Sequence, residues 1–140
     1  MSDNPANRSG LLFLCVANSS RSQMAEGLAR TMAPEGVQVH SAGSEPTRVN
    51  PFAVRAMEEI GIDITSHQST SVDDVDSAQI ATVITLCAEE VCPVFPHPVH
   101  KLHWPFTDPA AVTGSDEDKL ASFRAVRDQI KSKLEEYFAT

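Results

Sequence analysis

The chain has 140 residues, a formal net charge of -8 and a pI near 5.0. That is room for one domain with a real core, and the acidic balance argues against nonspecific nucleic-acid binding and against an anionic membrane surface. With 41% apolar and 21% charged residues the composition is that of a soluble globular protein, so any anion site has to be local, built from backbone amides and one or two basic side chains.

Residues 1–10, "MSDNPANRSG", read as a flexible polar tail, and residues 11–140 as a single domain. The apolar stretch Leu11 to Ala17 is too short to span a membrane, and no basic region precedes it as in a secretion signal. The expected compartment is the cytoplasm, where three cysteines point to reactive or metal-binding thiols rather than a disulfide framework. "GLLFLCVA" reads as a buried strand. A helix follows from Ser22, with Met24, Leu28 and Met32 on one face, and stops near Pro34 and Gly36. "VQVHSAG" alternates like a second strand. Asn50-Pro51 marks a helix start, with Asn as N-cap and Pro at the first helical position. Its apolar stripe is Ala53, Ala56, Met57 and Ile60, and Gly61 is its C-cap. "IATVITLC" is a third buried strand and "VHKLHW" a weaker fourth. In the last helix Ser115 and Asp118 suggest a capping box, and Leu120, Phe123, Val126, Ile130, Leu134 and Phe138 follow at helical spacing.

Strands alternating with helices imply an α/β fold: a small parallel sheet of about four strands with helices on both faces. Ligands in such folds bind beyond the carboxyl ends of the strands, where Cys15 and Cys87 both fall. The loop after the first strand is the richest feature. A strand, a tight polar loop (Val16, Ala17, Asn18, Ser19, Ser20) and a helix N-terminus form an anion cradle, because free amides and the helix dipole converge there. Arg21 adds a planar fork for two oxygens of a tetrahedral oxyanion. The same amides favour the thiolate of Cys15, Asn18 tolerates a left-handed backbone, and Ser22 is placed to hydrogen-bond the thiolate. Cys15 is thus a candidate nucleophile; the competing reading is a core-filling cysteine with Arg21 on a solvated helix start.

C-x5-R-S between a strand and a helix resembles the active loop of the low-molecular-weight protein tyrosine phosphatase fold. The longer string "NSSRSQMAEG" resembles the thioredoxin-coupled arsenate reductases of that superfamily, and Gln23 stands where phosphatases carry Pro. The likeness continues through "SAGSEPTRVNPFAVRAMEEIGIDIT", "VITLC", "CPVFP", "HWPFTDPA" and "FRAVRDQI". It implies reduction of arsenate to arsenite, for arsenic detoxification, by a three-cysteine relay. In that relay Cys15 is the nucleophile, Cys87 resolves and Cys92 shuttles the oxidation outward. It implies no cofactor beyond an external thiol reductant. Thioredoxin is the expected partner; glutaredoxin with glutathione, or another low-molecular-weight thiol, stays open. The spacing of Cys87 and Cys92 is shorter than in such relatives.

Asp108 in "FTDPA" matches the general-acid position, with Trp104 and Phe106 as wall residues. Asn18, Glu26 and Ser41 match positions that bind potassium in some of these reductases, but Thr70 stands where a further acidic ligand is expected. His40 and His67 read as structural or exposed, and Asp73, Asp74 and Asp76 as a solvated face that starts a short helix. A zinc site from Cys87, Cys92, His97, His100 and His103 fits no standard ligand spacing. Two other functions compete: a tyrosine or aryl phosphatase using only Cys15, Arg21 and Asp108, and a noncatalytic oxyanion-binding module.

Overall fold

The computed structural model describes residues 9–88 and 93–139. Its sheet holds β1 (Gly10–Cys15), β2 (Gln38–Gly43), β3 (Ile80–Thr85) and β4 (His100–His103), all parallel, in the order β2-β1-β3-β4. The α-helices are α1 (Arg21–Met32), α2 (Pro51–Glu58) and α3 (Asp116–Phe138). Leu12, Phe13 and Leu14 have no exposed surface, since the central strand β1 is covered on both faces. Burying each such side chain contributes about 1.5–3 kcal/mol.

The two coverings differ. Leu11 and Phe13 face a core with Met24 and Leu28 of α1, Ala53, Ala56 and Met57 of α2, and Leu120, Phe123, Ile130 and Leu134 of α3. Leu12 and Leu14 face Ala42, Val83 and Phe95, with Val72, Val75 and Val99 at the margin. Among the described residues that second face is covered by a short 3-10 turn at residues 72–74 and by loops.

Local chemistry sets the boundaries. Asn50 caps α2 through its side-chain oxygen, which accepts from the Phe52 N–H at 2.9 Å, and Pro51 follows. Beyond Glu58, Gly61 adopts φ 80°; its N–H donates to the Glu58 carbonyl and that of Ile62 to Met57, a Schellman closure needing a left-handed residue. The capping box of Ser115 and Asp118 forms at α3. The second strand-end cysteine lies beyond its strand, not in it. β3 stops at Thr85 because the Leu86 N–H still bonds Leu14 while the Leu86 carbonyl turns to the Phe106 N–H.

Helices α2 and α3 are tied by an exposed ion-pair network. Arg124 donates to both oxygens of Glu59 and to Glu117, and Arg127 donates to Glu59 and the Ala56 carbonyl. Hydrogen bonding from Arg124, with Arg127 behind it, holds the Glu59 carboxyl down at about 2. A carboxyl lowered on folding stabilises the fold above its unfolded value, about 4.5, and that contribution is lost as pH falls toward 2. Glu59→Gln should therefore flatten the decline of melting temperature between pH 5 and pH 2, a difference that melts at stepped pH would reveal.

Candidate active site

Register aligns the carboxyl ends of all four strands: Cys15 pairs with Gly43, Leu14 with Thr85, and Thr85 with His103. Strand order reverses between β1 and β3, a topological switch point where an open α/β sheet leaves a crevice. Cys15 ends β1 at that crevice. It is a free thiol, 3% exposed. A cavity of about 270 Å³ opens over it, lined by Cys15, Val16, Ala17, Ser19, Ser20, Arg21, Asp108 and Ala110.

The loop from Cys15 to Arg21 is held from outside by its carbonyls. Those of Val16, Ala17 and Ser19 accept from the N–H groups of Glu45 (2.9 Å), Thr47 (3.2 Å) and Asn50 (3.0 Å). The C=O and N–H of a trans peptide point to opposite sides. Carbonyls engaged by residues 45–50 therefore turn the amides of Ala17, Asn18 and Ser20 the other way, toward the cleft. The strand ends at Cys15, short of the expected Ala17, because these peptides leave the ladder. At the helix start Ser20 makes no side-chain cap hydrogen bond and the first turn carries no acidic residue, so neither competes with an anion for the positive end of the helix dipole.

Asn18 is the hinge of the loop. It is the one non-glycine among the described residues with positive φ, 49°, and it has no exposed surface. Its Nδ2 donates to Ser22 Oγ at 2.8 Å, and its Oδ1 accepts from the Thr70 N–H at 2.8 Å and Gln23 Nε2 at 3.1 Å. Its carbonyl accepts from Ser69 Oγ and Gln23 Nε2. Gln23, also fully buried, reaches on to the Gln68 carbonyl and to His67 Nδ1, each at 3.0 Å. Pro at position 23 would remove these bonds. Gln23 and Ser69 are thus positioning residues absent from the sequence expectation, with the departure from Pro at position 23 the only signal, and His67, read as structural or exposed, braces Gln23. Ser22 Oγ, as acceptor from Asn18, keeps its own proton for another partner.

Arg21 is nearly buried, and its Nη1 donates to the Phe106 carbonyl at 2.9 Å, within reach of Leu86 at 3.5 Å. These bonds set the guanidinium at the cleft. Asp108 Oδ2 lies 4.0 Å from Arg21 Nη2, while its Oδ1 accepts from the Ala110 N–H at 2.9 Å and starts a 3-10 turn. Trp104 belongs to the core and meets Tyr137 edge-on, with the ammonium of the exposed Lys133 over its ring, and Phe106 contributes chiefly its carbonyl. Cys87 is 1% exposed, disulfide-bonded, and two residues past the end of β3. Cys92 lies outside the described residues.

The residues matched to a potassium site do not fit one. Glu26 Oε1 accepts from Ser41 Oγ at 2.6 Å, and its Oε2 accepts from Arg30 Nε at 2.9 Å and Nη2 at 2.7 Å. Asn18 Oδ1 already takes two donors, and Thr70 supplies an amide rather than a carboxylate. The carboxylate and amide oxygens of Glu26 and Asn18 that a hard cation would need are engaged by protein donors.

The chain matches the family described as low molecular weight phosphotyrosine protein phosphatase over residues 10–140. It is 44% identical over 136 residues to the arsenate reductase of Halalkalibacterium halodurans, covering 96% of this chain and 98% of that one. The solved arsenate reductase of Archaeoglobus fulgidus superposes with a TM-score of 0.80 at 29% identity, covering 93% of this chain and 99% of that one. The thioredoxin-dependent arsenate reductase Cg_ArsC1' of Corynebacterium glutamicum does so with a TM-score of 0.69 at 26% identity, covering 94% of this chain and 61% of that one. With its strand-end thiol, carbonyl-braced loop and Arg21 at the switch point of the sheet, the chain belongs to the low molecular weight phosphotyrosine protein phosphatase family, within its arsenate reductase branch.

Proposed function

We propose that the protein reduces arsenate to arsenite through Cys15, Cys87 and Cys92, and that thioredoxin regenerates it. The observation that carries this reading is a free thiol at the foot of an amide-lined cleft, with Arg21 beside it and Cys87 beyond the end of the neighbouring strand. Relatives named arsenate reductase over nearly the whole chain support the substrate, and the thioredoxin-dependent neighbour supports the reductant.

Arg21 and the loop amides hold the oxyanion, neutralising its charge at the buried foot of the cleft. The Cys15 thiolate attacks arsenic and displaces one oxygen, which leaves as water after Asp108 delivers a proton. The Cys87 thiolate then attacks the Cys15 sulfur. The sulfur–arsenic bond breaks toward arsenic, which takes the electron pair and departs as arsenite, leaving a Cys15–Cys87 disulfide. Attack by Cys92 on Cys87 frees Cys15 and moves the disulfide to Cys87–Cys92. A thioredoxin dithiol supplies the two electrons that reopen it; glutaredoxin with glutathione is the competing donor.

Phosphate shares the charge and shape of arsenate, and Asp108 in the cleft equally suits protonation of a leaving aryl oxygen. Cys87→Ser separates the two activities. Hydrolysis of a small aryl phosphate should survive, while thioredoxin-coupled arsenate turnover should fall below about 1% of wild type, because the second electron-donating thiol is gone. Full arsenate turnover in this variant would remove Cys87 from the mechanism.

A further inference from the structure

We propose that Arg30 is a built-in counter-cation for Glu26, so that the brace behind the active loop works without a metal ion. Glu26 sits one turn into α1, its side chain 10% exposed. An unpaired carboxylate there would be costly, and such groups persist by acquiring a cation or a proton. Arg30 lies one turn further on the same helix and places Nε and Nη2 on Glu26 Oε2. Its Nη2 also donates to the Val39 carbonyl at 3.0 Å, so the guanidinium is fixed across α1 and β2.

The brace runs from there to the loop. Glu26 Oε1 holds Ser41 of β2; two residues on, the Gly43 N–H donates to the Thr70 carbonyl at 2.9 Å, and the Thr70 N–H donates to Asn18 Oδ1. Loss of the charge at one end would loosen the residue that sets the loop's left-handed turn.

The other basic groups near Glu26 do not supply that charge in the same way. Burial pushes the His40 imidazole below its ordinary range; Glu26 opposes the shift and Arg30 adds to it. His67 Nε2 stands 3.9 Å from Glu26 Oε2, beyond hydrogen-bond reach, and its Nδ1 is committed to Gln23. Asp74 and Asp76 line the same cavity as Glu26 and Arg30, one of about 660 Å³. A cation entering that cavity would find both Glu26 oxygens already held by protein donors, Oε2 by the guanidinium and Oε1 by Ser41.

The test compares wild type, Arg30→Met and Arg30→Lys in potassium chloride and in choline chloride at equal ionic strength. The readouts are melting temperature, which does not depend on the arsenate chemistry proposed above, and arsenate turnover. Wild type and Arg30→Lys should melt at the same temperature in both salts. Arg30→Met should melt lower in choline and recover roughly 3–6 °C in potassium, as a cation enters the vacated position. Its turnover should rise at least about threefold with it. Potassium stabilisation of wild type by several degrees would overturn the proposal, and so would an Arg30→Met protein indifferent to potassium. Should that variant fail to fold, the potassium titration of wild type decides alone.

Discussion

Replacing Cys15 with serine should lower arsenate reduction by at least about three orders of magnitude, roughly 4 kcal/mol of barrier, with little change in melting temperature. Serine has nearly the size of cysteine and suits a site whose occupant is 3% exposed at the foot of a polar cleft lined by Ser19, Ser20 and Arg21. The fold and the anion cradle should therefore persist, and phosphate should still raise the melting temperature. What disappears is a thiolate able to bond arsenic and then leave as half of a disulfide, which no alkoxide does. Arsenite release in the thioredoxin-coupled assay, read beside a phosphate-dependent melt, separates loss of chemistry from loss of fold. A variant retaining more than about a tenth of the wild-type rate would place the nucleophile elsewhere.

The second large effect belongs to a residue with no chemistry of its own. At Gly43 an added methyl would stand 2.3 Å from the Val16 carbonyl oxygen and 2.9 Å from the Asn18 nitrogen. Both are backbone atoms of the active loop, so no side chain can swing aside and either β2 or the loop must move. Gly43→Ala is expected to cost about 2–4 kcal/mol of stability, the range of an overpacked core site. It should also raise KM for arsenate more than tenfold, because the displaced peptides are those whose amides face the cleft. Urea midpoints and steady-state kinetics measure the two effects. A midpoint within about 0.5 kcal/mol of wild type would show that the approach of strand and loop is less tight than these distances.

Much of this was legible in the sequence because local rules and tertiary packing agree. β1, β3 and α3 announce themselves through apolar runs and helical spacing, and Asn50-Pro51 and Ser115 with Asp118 mark helix starts that the hydrogen bonds then complete. Cys15 and Arg21 were legible as a strand-loop-helix cradle, and Asn18 as its left-handed residue. The network behind the loop was not. Gln23, Gly43 and the pair His67 and Ser69 come from three separate segments of the chain and meet only when β2 and the segment at 66–70 close against the loop. The contacts of Arg30 and Arg127 were not legible either, because periodicity reports which face is apolar and not which long side chain reaches a carboxylate or carbonyl. The short helix expected at Asp73 forms as a 3-10 turn at residues 72–74, but that this turn and loops cover one face of the sheet was hidden.

The most direct test of the central claim starts from fully reduced protein mixed with arsenate and no other thiol. Arsenite is then counted and the disulfides mapped by mass spectrometry after digestion. The relay predicts one equivalent of arsenite per protein and a Cys87–Cys92 disulfide with Cys15 returned to the thiol. Three free thiols and no arsenite would contradict it.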